Sequence, residues 1–305
     1  MAAPTVSMVS GIRETIAMYY EMSRPRVLFL VIFTGLPTLI MGQQVNPSLA
    51  LAAWVILGTA LSGAACSVLN AYLDRDIDAR MARTQNRPLP AAALKPNSAL
   101  RFGLFLSVVS TVLLYLCGGW MPAFVGAASI LFYVFVYTLG LKRRTPQNIV
   151  IGGAAGATAP LIADATVDGV LGPAGIILFL LIFVWTPPHF WAIALFRKDE
   201  YANAEIPMMP LVVGDQGTRW RSLFYSVSII PVSLALVWPY GILRGIYGAT
   251  ACISGLWFLM WNIHAIRAQD YEVDHRMFRA SIVYLFIVFG AMLADIVVYD
   301  WLQLL

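Results

Sequence analysis

Charged residues are scarce in this chain of 305 residues: they make up 12% of it, whereas hydrophobic residues make up 60%. Soluble domains carry about 25% charged residues, so this composition excludes an ordinary soluble protein. The first 26 residues also lack the basic start, the apolar core and the small-residue cleavage site of a secretory signal peptide. Apolar runs recur up to the C-terminus, which predicts one integral membrane domain, and no nucleic-acid partner is expected.

Cysteine is equally sparse. Cys66, Cys117 and Cys252 lie in separate apolar runs, and none belongs to a CxxC motif. This spacing excludes a disulfide framework and a soft-metal site. The three residues are expected to be small apolar residues of the protein interior.

Nine apolar runs are long enough to cross a bilayer as helices, which takes roughly 17–25 residues each. The predicted spans are residues 27–43, 49–69, 100–117, 121–141, 149–165, 173–196, 222–243, 245–266 and 282–302. The predicted fold is therefore an all-α integral membrane protein with nine transmembrane helices in residues 27–305. Residues 1–26 form an N-terminal segment in which positions 12–22 alternate apolar and charged residues, a pattern typical of an interfacial helix.

The basic residues predict how these spans are oriented. With nine spans, 19 of the 20 Lys and Arg residues fall on the side of the N-terminus, and Arg244 alone falls on the other. Basic loops stay in the cytoplasm. We therefore expect a cytoplasmic N-terminus, an external C-terminus and a location in the cytoplasmic (inner) membrane.

An acidic motif follows the second predicted span. Asn70, Asp74 and Asp78 are spaced i, i+4, i+8, so a helix places them on one face. Converging oxygen ligands suit a hard cation such as Mg²⁺, which commonly bridges carboxylates to a substrate phosphate. The alternative is a solvated acidic helix end whose carboxylates pair with nearby arginines.

A second oxygen-rich segment follows the sixth predicted span. Asp199 and Asn203 are again spaced i, i+4 at a span end, on the predicted cytoplasmic side. Two such ends that face each other across a bundle can hold Mg²⁺ ions and an anionic diphosphate, with neighbouring Lys and Arg residues neutralising the remaining charge.

The first motif, followed by Asn-Arg-Pro-Leu at 86–89, resembles the UbiA superfamily of intramembrane prenyltransferases. Other stretches resemble the heme O synthase branch of that superfamily: Ser-Arg-Pro-Arg-Val at 23–27, residues 142–153, Trp-Thr-Pro-Pro-His-Phe-Trp at 185–191 and Ile-Pro-Met-Met-Pro at 206–210. The resemblance implies a nine-helix bundle that binds Mg²⁺ and an isoprenyl diphosphate through two acidic motifs. It further implies transfer of a farnesyl group from farnesyl diphosphate to a vinyl group of heme B, with water addition.

The resemblance also implies roles for individual residues. The expected catalytic residues are Asn70, Asp74, Asp78 and Asp199, and the expected Mg²⁺ ligands are these four together with Asn203. The expected substrate-binding residues are Arg24, Arg26, Arg87, Lys142, Arg143, Asn148, His189 and Tyr201. Farnesyl diphosphate, heme B, membrane lipids and a downstream heme A synthase are the expected partners.

Some features leave alternatives open. Glu205 occupies a position where the resemblance leads us to expect glycine, and the second motif is not a plain DxxxD.

His189 lies inside a predicted span, where ionisable groups are costly and usually functional. It is interpreted either as an axial ligand of heme iron or as a residue hydrogen-bonded between helices. A prenyltransferase acting on a quinone precursor and a multi-span transporter are the rival functions.

Overall fold

Helices provide the regular structure in this computed structural model, which describes residues 8–41 and 47–303. In chain order they are α1 (Met8–Met22), α2 (Pro25–Met41), α3 (Leu49–Leu73), α4 (Arg75–Arg80), α5 (Pro96–Gly118), α6 (Trp120–Leu131), α7 (Asn148–Gly156), α8 (Ala159–Asp168), α9 (Pro173–Phe196), α10 (Lys198–Asn203), α11 (Met209–Leu234), α12 (Gly245–Ala268) and α13 (Tyr271–Gln303). A π-helical segment, Phe132–Leu141, continues α6. The predicted all-α class is confirmed.

Local sequence signals set several helix ends. The Ser48 hydroxyl accepts a hydrogen bond from the backbone N–H of Leu51 and caps α3. Pro96 and Pro173 open α5 and α9, where a missing backbone N–H costs nothing. Gly119 turns the chain between α5 and α6 with φ of 84°, a conformation that glycine adopts without strain.

Seven helical stretches among the described residues are long and apolar enough to cross a membrane: Leu49–Leu73, Pro96–Gly118, Trp120–Leu141, Asn148–Asp168, Pro173–Phe196, Gly245–Ala268 and Tyr271–Tyr299. An eighth arises if the pair Arg13–Met22 and Pro25–Met41, bent by 51°, counts as one span. The nine spans predicted from sequence therefore become seven or eight by these criteria. Helix α2 alone has 17 residues, and α11 carries Asp215, Arg219 and Arg221 in its first half.

The helices also differ in detail from the predicted spans. The predicted span 149–165 is broken between α7 and α8, and the predicted span 222–243 begins inside α11 and runs past its end at Leu234. The predicted helix at residues 12–22 is present as part of α1. Helix α13 begins at Tyr271, eleven residues before the predicted span, because its first turns pack on α11 through polar side chains.

Consecutive helices pack side by side, α3 on α5, α5 on α6, α9 on α11, α11 on α12 and α12 on α13. The bundle closes where α13 packs on both α2 and α9. Large apolar side chains such as Phe105, Leu116, Phe224 and Ile253 are exposed on its outside. In water such a surface would be unfavourable, whereas lipid tails solvate it. The bundle places the ends of α3 and α9 beside the short helices α4 and α10.

Candidate functional site

Asn70, Asp74 and Asp78 lie on one helical face, as predicted from their spacing. Helix α3 ends at Leu73, but the backbone N–H of Asp74 still bonds to Asn70 O, and that of Asp78 to Asp74 O, both at 2.8 Å. The helical hydrogen-bond ladder thus continues through the break into α4. The three side chains are 2%, 1% and 6% exposed. Two carboxylates this deeply buried require compensating charge.

The amide of Asn70 connects this face to the π-helical segment. Its Nδ2 donates to Asp74 Oδ2 at 2.6 Å and to Thr138 Oγ1 at 3.2 Å. The Thr138 hydroxyl in turn donates to the carbonyl of Tyr133, five residues earlier, at 2.8 Å. Asn70 and Asp74 are therefore held in fixed orientations by a buried hydrogen-bond network.

Cationic side chains from three segments surround the acidic face. Lys142, at the end of the π-helical segment, forms an ion pair with Asp74. Arg87 bonds to Asp78 Oδ2 at 3.0 Å, and Arg24, at the α1–α2 corner, donates to Asn70 Oδ1 at 3.3 Å. The structure brings these predicted phosphate-binding residues to the predicted metal-binding face.

Asp76 points away from this face, as expected from its position on the helix. It is half exposed and accepts two hydrogen bonds from Arg143, at 2.8 and 2.7 Å. The hydrogen bond from Arg143 holds the pKa of the Asp76 carboxyl below its ordinary value. Arg143 also lies 4.0 Å from Asp74 Oδ1, so the Asp76 pair anchors a guanidinium at the edge of the site.

The donor set of this face fits a hard divalent cation. Asp74 Oδ1 is buried and accepts no hydrogen bond in the described part of the chain, which is unusual for a carboxylate oxygen. Its neighbours are an amide oxygen and a second carboxylate, the oxygen ligands that Mg²⁺ prefers. A small open pocket lies beside Asp78, with Arg24 and Arg87 also in its wall.

The two motif-bearing loops pack against each other. A small apolar core joins α4 to the second loop, which is the segment between α9 and α11 that contains α10. Its members are Ile77, Met81, Ile149, Ala194, Tyr201, Ala204, Ile206 and Met208. Arg83 bridges the same loops: it donates to the Tyr201 hydroxyl at 3.4 Å and lies 3.5 Å from Glu200 Oε2. The predicted proximity of the two acidic segments is thus a feature of this structure.

Three predicted site residues lie at the periphery. Asp199, Asn203 and Arg26 are exposed, and no hydrogen bond between them and the first motif occurs in residues 8–41 and 47–303. Asn148 is buried instead: its Nδ2 donates to Thr145 O at 2.6 Å, while its Oδ1 accepts nothing from the described residues. Tyr201 is buried under Arg83.

His189 lies two turns before the end of α9, in an aromatic environment. Its ring stacks on Trp185 at 4.3 Å and contacts Phe278 of α13 at 4.9 Å. Its Nδ1 is 2.7 Å from Ser281 Oγ, and that hydroxyl also bonds to Phe278 O at 2.6 Å. A hydroxyl has one hydrogen. Both contacts are satisfied when Ser281 donates to the carbonyl and Nδ1–H donates to Ser281, which leaves the Nε2 lone pair available.

Sequence reasoning missed Thr138, Arg83 and the central position of Glu200. Glu200 accepts from Arg197 at 2.6 Å and faces Arg83, so it, rather than Asp199, contacts the residues that bridge the loops. No local sequence pattern identifies the contacts that Thr138 and Arg83 make with the two acidic segments, because each joins residues that are far apart in the chain. The acidic run at 199–200 was a signal, but it did not tell the two carboxylates apart.

Comparison with known proteins adds to this geometry. The model of the UbiA prenyltransferase family matches residues 28–293. The protoheme IX farnesyltransferase of Symbiobacterium thermophilum is 42% identical over 280 residues, which are 91% of this chain and 93% of that protein. Protoheme IX farnesyltransferase 1 of Mesorhizobium japonicum is 44% identical over 92% of this chain and 90% of its own.

A solved structure has the same fold. A UbiA homolog from Archaeoglobus fulgidus, bound to DMAPP and Mg²⁺, superposes with a TM-score of 0.65 at 14% identity, and the match covers 90% of this chain and 98% of that chain.

Proposed function

Because this chain belongs to the UbiA prenyltransferase family, we propose that it catalyses the reaction for which its relatives are named. It transfers the farnesyl group of farnesyl diphosphate to a vinyl group of heme B, and water addition completes the hydroxyethylfarnesyl side chain of heme O. The observation that carries this proposal is the buried face of Asn70, Asp74 and Asp78, enclosed by cations at the end of a membrane-spanning helix.

Mg²⁺ is the proposed cofactor, held by Asn70, Asp74 and Asp78, with Asp199 and Asn203 as ligands from the second loop. The buried Oδ1 of Asp74, which accepts no hydrogen bond from the described residues, supports this assignment. When bound, Mg²⁺ would act as a Lewis acid and stabilise the negative charge that develops on the diphosphate leaving group. The Mg²⁺ bound to the A. fulgidus homolog is consistent with this cofactor.

Arg24, Arg87, Lys142 and Arg143 are the proposed diphosphate-binding residues. Each is already fixed by a contact to the acidic motif or to Asp76. Fixed cations need no reorganisation when charge develops on the leaving group. At the edges of the same site we assign substrate contacts to Arg26, Asn148 and Tyr201; the Oδ1 of Asn148 is a buried acceptor without a donor among the described residues.

Tyr133 and Tyr137 lie just before Lys142, with ring centroids 5.0 Å apart. Their ring faces can stabilise the positive charge that an ionising allylic diphosphate develops. Helix α7 passes close to Tyr137 because it has Gly152 there: a Cβ at this position would come within 2.2 Å of the ring. The bundle keeps water from this region until the porphyrin vinyl group has reacted.

His189 is the proposed heme contact. Its Nδ1–H is committed to Ser281, so the neutral ring presents Nε2, which suits an axial ligand of heme iron. Heme B is here a substrate. The stacked ring of Trp185 and the tilted ring of Phe278 restrict the imidazole to one orientation.

We further propose nine spans, with the N-terminus in the cytoplasm and the protein in the cytoplasmic membrane. Helix α2 and the second half of α11 would supply the two spans that fail the length or composition criterion alone. The one-sided distribution of Lys and Arg supports this orientation. Helix α1 would then lie at the interface, and a heme A synthase is the proposed consumer of the product.

The direct test is an assay of the purified protein in detergent with Mg²⁺, heme B and prenyl diphosphates of 10, 15 and 20 carbons. We expect a product with the mass of heme O, formed fastest with farnesyl diphosphate. A parallel reaction replaces heme B with 4-hydroxybenzoate. Prenylation of this quinone precursor without any heme product would refute the proposed substrate while leaving the family assignment intact.

A further inference from the structure

Helix α10 carries the second acidic motif, yet it has six residues. A helix this short is not stable by itself, so its position depends on its contacts. On one side, Arg83 and the small apolar core hold it to the loop of α4. On its other side lies a group of charged and polar residues that the proposed reaction does not use.

Asp215 is the centre of this group. Its Oδ1 is 2.7 Å from Nζ of Lys198, the first residue of α10, and its Oδ2 accepts from the Tyr271 hydroxyl at 2.7 Å. Each carboxylate oxygen thus binds a different element, α10 through Lys198 and the start of α13 through Tyr271. Asp215 itself follows Gly214, whose φ of 76° interrupts α11.

The part of α11 that carries Asp215 is fixed by contacts with α12 and α13. One turn further along α11, Arg219 forms a bidentate pair with Asp274 of α13, at 3.0 and 2.6 Å. This pair is almost completely buried, with side chains 3% and 0% exposed. Gln216 also donates to Ile266 O at the end of α12, at 3.2 Å. Asp215 therefore lies on a stretch of α11 that is hydrogen-bonded to both α12 and α13.

We propose that Asp215 is a positioning residue for the diphosphate site: it holds Lys198, and through it α10, in the place where Asp199 and Tyr201 can act. The inference rests on the proposed function, because α10 is assigned there to metal and diphosphate binding. Lys198 and Asp215 are partly exposed, 32% and 25%. Such pairs contribute little to the free energy of unfolding. We therefore expect loss of this pair to change the position of α10 and to leave global stability nearly unchanged.

The experiment compares Asp215→Asn, Lys198→Gln and the double variant with the wild type in steady-state assays with heme B and farnesyl diphosphate. Glu272→Gln is the matched control, since the exposed pair of Glu272 and Arg276 lies at the start of α13, next to Tyr271, and neither side chain forms a hydrogen bond or ion pair with α10 among the described residues. We expect the KM for farnesyl diphosphate to rise about threefold in Asp215→Asn, the size of effect that an exposed ion pair can have. The KM for heme B and kcat should remain near the wild-type values.

The double variant tests the link between the two residues. If Asp215 acts through Lys198, the double variant should show the same KM as either single variant; independent effects would multiply. Hydrogen exchange of the peptide covering residues 197–205 supplies a readout without catalysis. It should become faster in Asp215→Asn and stay unchanged in Glu272→Gln.

Several results would overturn the proposal: an unchanged KM for farnesyl diphosphate, multiplicative effects in the double variant, or unchanged exchange in residues 197–205. Should Asp215→Asn fail to fold, Tyr271→Phe removes one of its two partners and is expected to shift the same KM in the same direction. A wild-type protein that makes no heme product would refute the proposed function instead, and the exchange data would still decide whether Asp215 holds α10.

Discussion

Ser281 of α13 holds the imidazole of His189 on α9 through a 2.7 Å contact between Oγ and Nδ1. The contact links two helices, and it also determines which ring nitrogen is free. A ligand that is oriented by such an outer partner binds metal more tightly, typically by about 10- to 100-fold. The serine is therefore expected to matter for heme even though it need not touch it.

We expect His189→Ala to weaken heme B binding by more than about tenfold, because the proposed iron ligand is lost together with the hydrogen bond that orients it. The absorption spectrum of the bound heme should shift, and binding of farnesyl diphosphate should be retained. Ser281→Ala should weaken heme binding less and in the same direction. Heme titrations followed by absorbance, with thermal melts of each variant, are the measurement. An unchanged spectrum and affinity in His189→Ala would leave this histidine with a packing role only.

Asp74→Asn and Asp78→Asn should abolish most activity while the protein still folds and inserts. The substitutions barely change side-chain volume, but each removes a charged oxygen ligand from a preorganised site, where such groups are worth about 100-fold or more in kcat. Initial rates at increasing Mg²⁺ concentrations measure the effect. Glu272→Gln is the control, since Glu272 forms an exposed pair with Arg276 on α13; its activity should stay within about threefold of the wild type. Equal activity of all three variants would contradict the metal site.

Glu205→Gly should stabilise the protein without reducing activity. Glu205 has a φ of 56°, a conformation that costs most residues about 1–2 kcal/mol. Glycine removes this strain but has a more flexible unfolded chain, which leaves a net gain of about 0.5–1 kcal/mol. The ion pair with Arg80 that is lost is well exposed and contributes little.

A thermal melt in detergent measures this gain. Gln269→Gly is the comparison, because Gln269 has a nearly identical φ of 54° and lies far from the motifs in sequence. Both variants should melt at higher temperature, whereas Arg80→Ala should change the melt little. A lower melting temperature for Glu205→Gly would mean that the ion pair outweighs the backbone strain.

Membrane topology can be tested with reporters. A reporter fused after Leu305 should be active only outside the cytoplasm, and one inserted in residues 83–96 should be active only inside it. In the nine-span topology, 19 of the 20 basic residues lie on the same side as residues 83–96, and basic loops stay in the cytoplasm. Finding both reporters on one side would require an even number of spans between residue 96 and Leu305. That result would remove α11 from the set of nine, because α2 precedes both reporters.

The sequence contained enough information for the all-α class and for the geometry of the first motif. The spacing of Asn70, Asp74 and Asp78 is a local signal, since helical periodicity alone places them together. Local signals failed at the second motif. Asp199 and Glu200 are neighbours in sequence, and only the tertiary position of Arg83 makes Glu200 the inner carboxylate.

The span count shows the same limit. Apolar composition identified the long helices, but it could not show that residues 149–165 are broken at Ala157 or that α11 includes the mostly polar stretch 215–222. The bundle accommodates Arg219 in this stretch because Asp274, 55 residues later, neutralises it. A contact between residues so distant in sequence leaves no trace in a hydropathy pattern. Glu205 is the opposite case: the expectation of glycine there is explained by its positive φ.

The π-helical segment makes the number of residues between α6 and the basic loop a constraint in its own right. Thr138 and Lys142 both reach the acidic face from this segment, and each residue added to or removed from a helix turns everything after it by about 100°. Exchanging one apolar residue for another in Phe132–Leu141 would leave both side chains in place. Deleting a single residue before Thr138 would rotate the threonine and the lysine about the helix axis, away from Asn70 and Asp74. Length variation in this stretch should therefore be far less tolerated than variation in its composition.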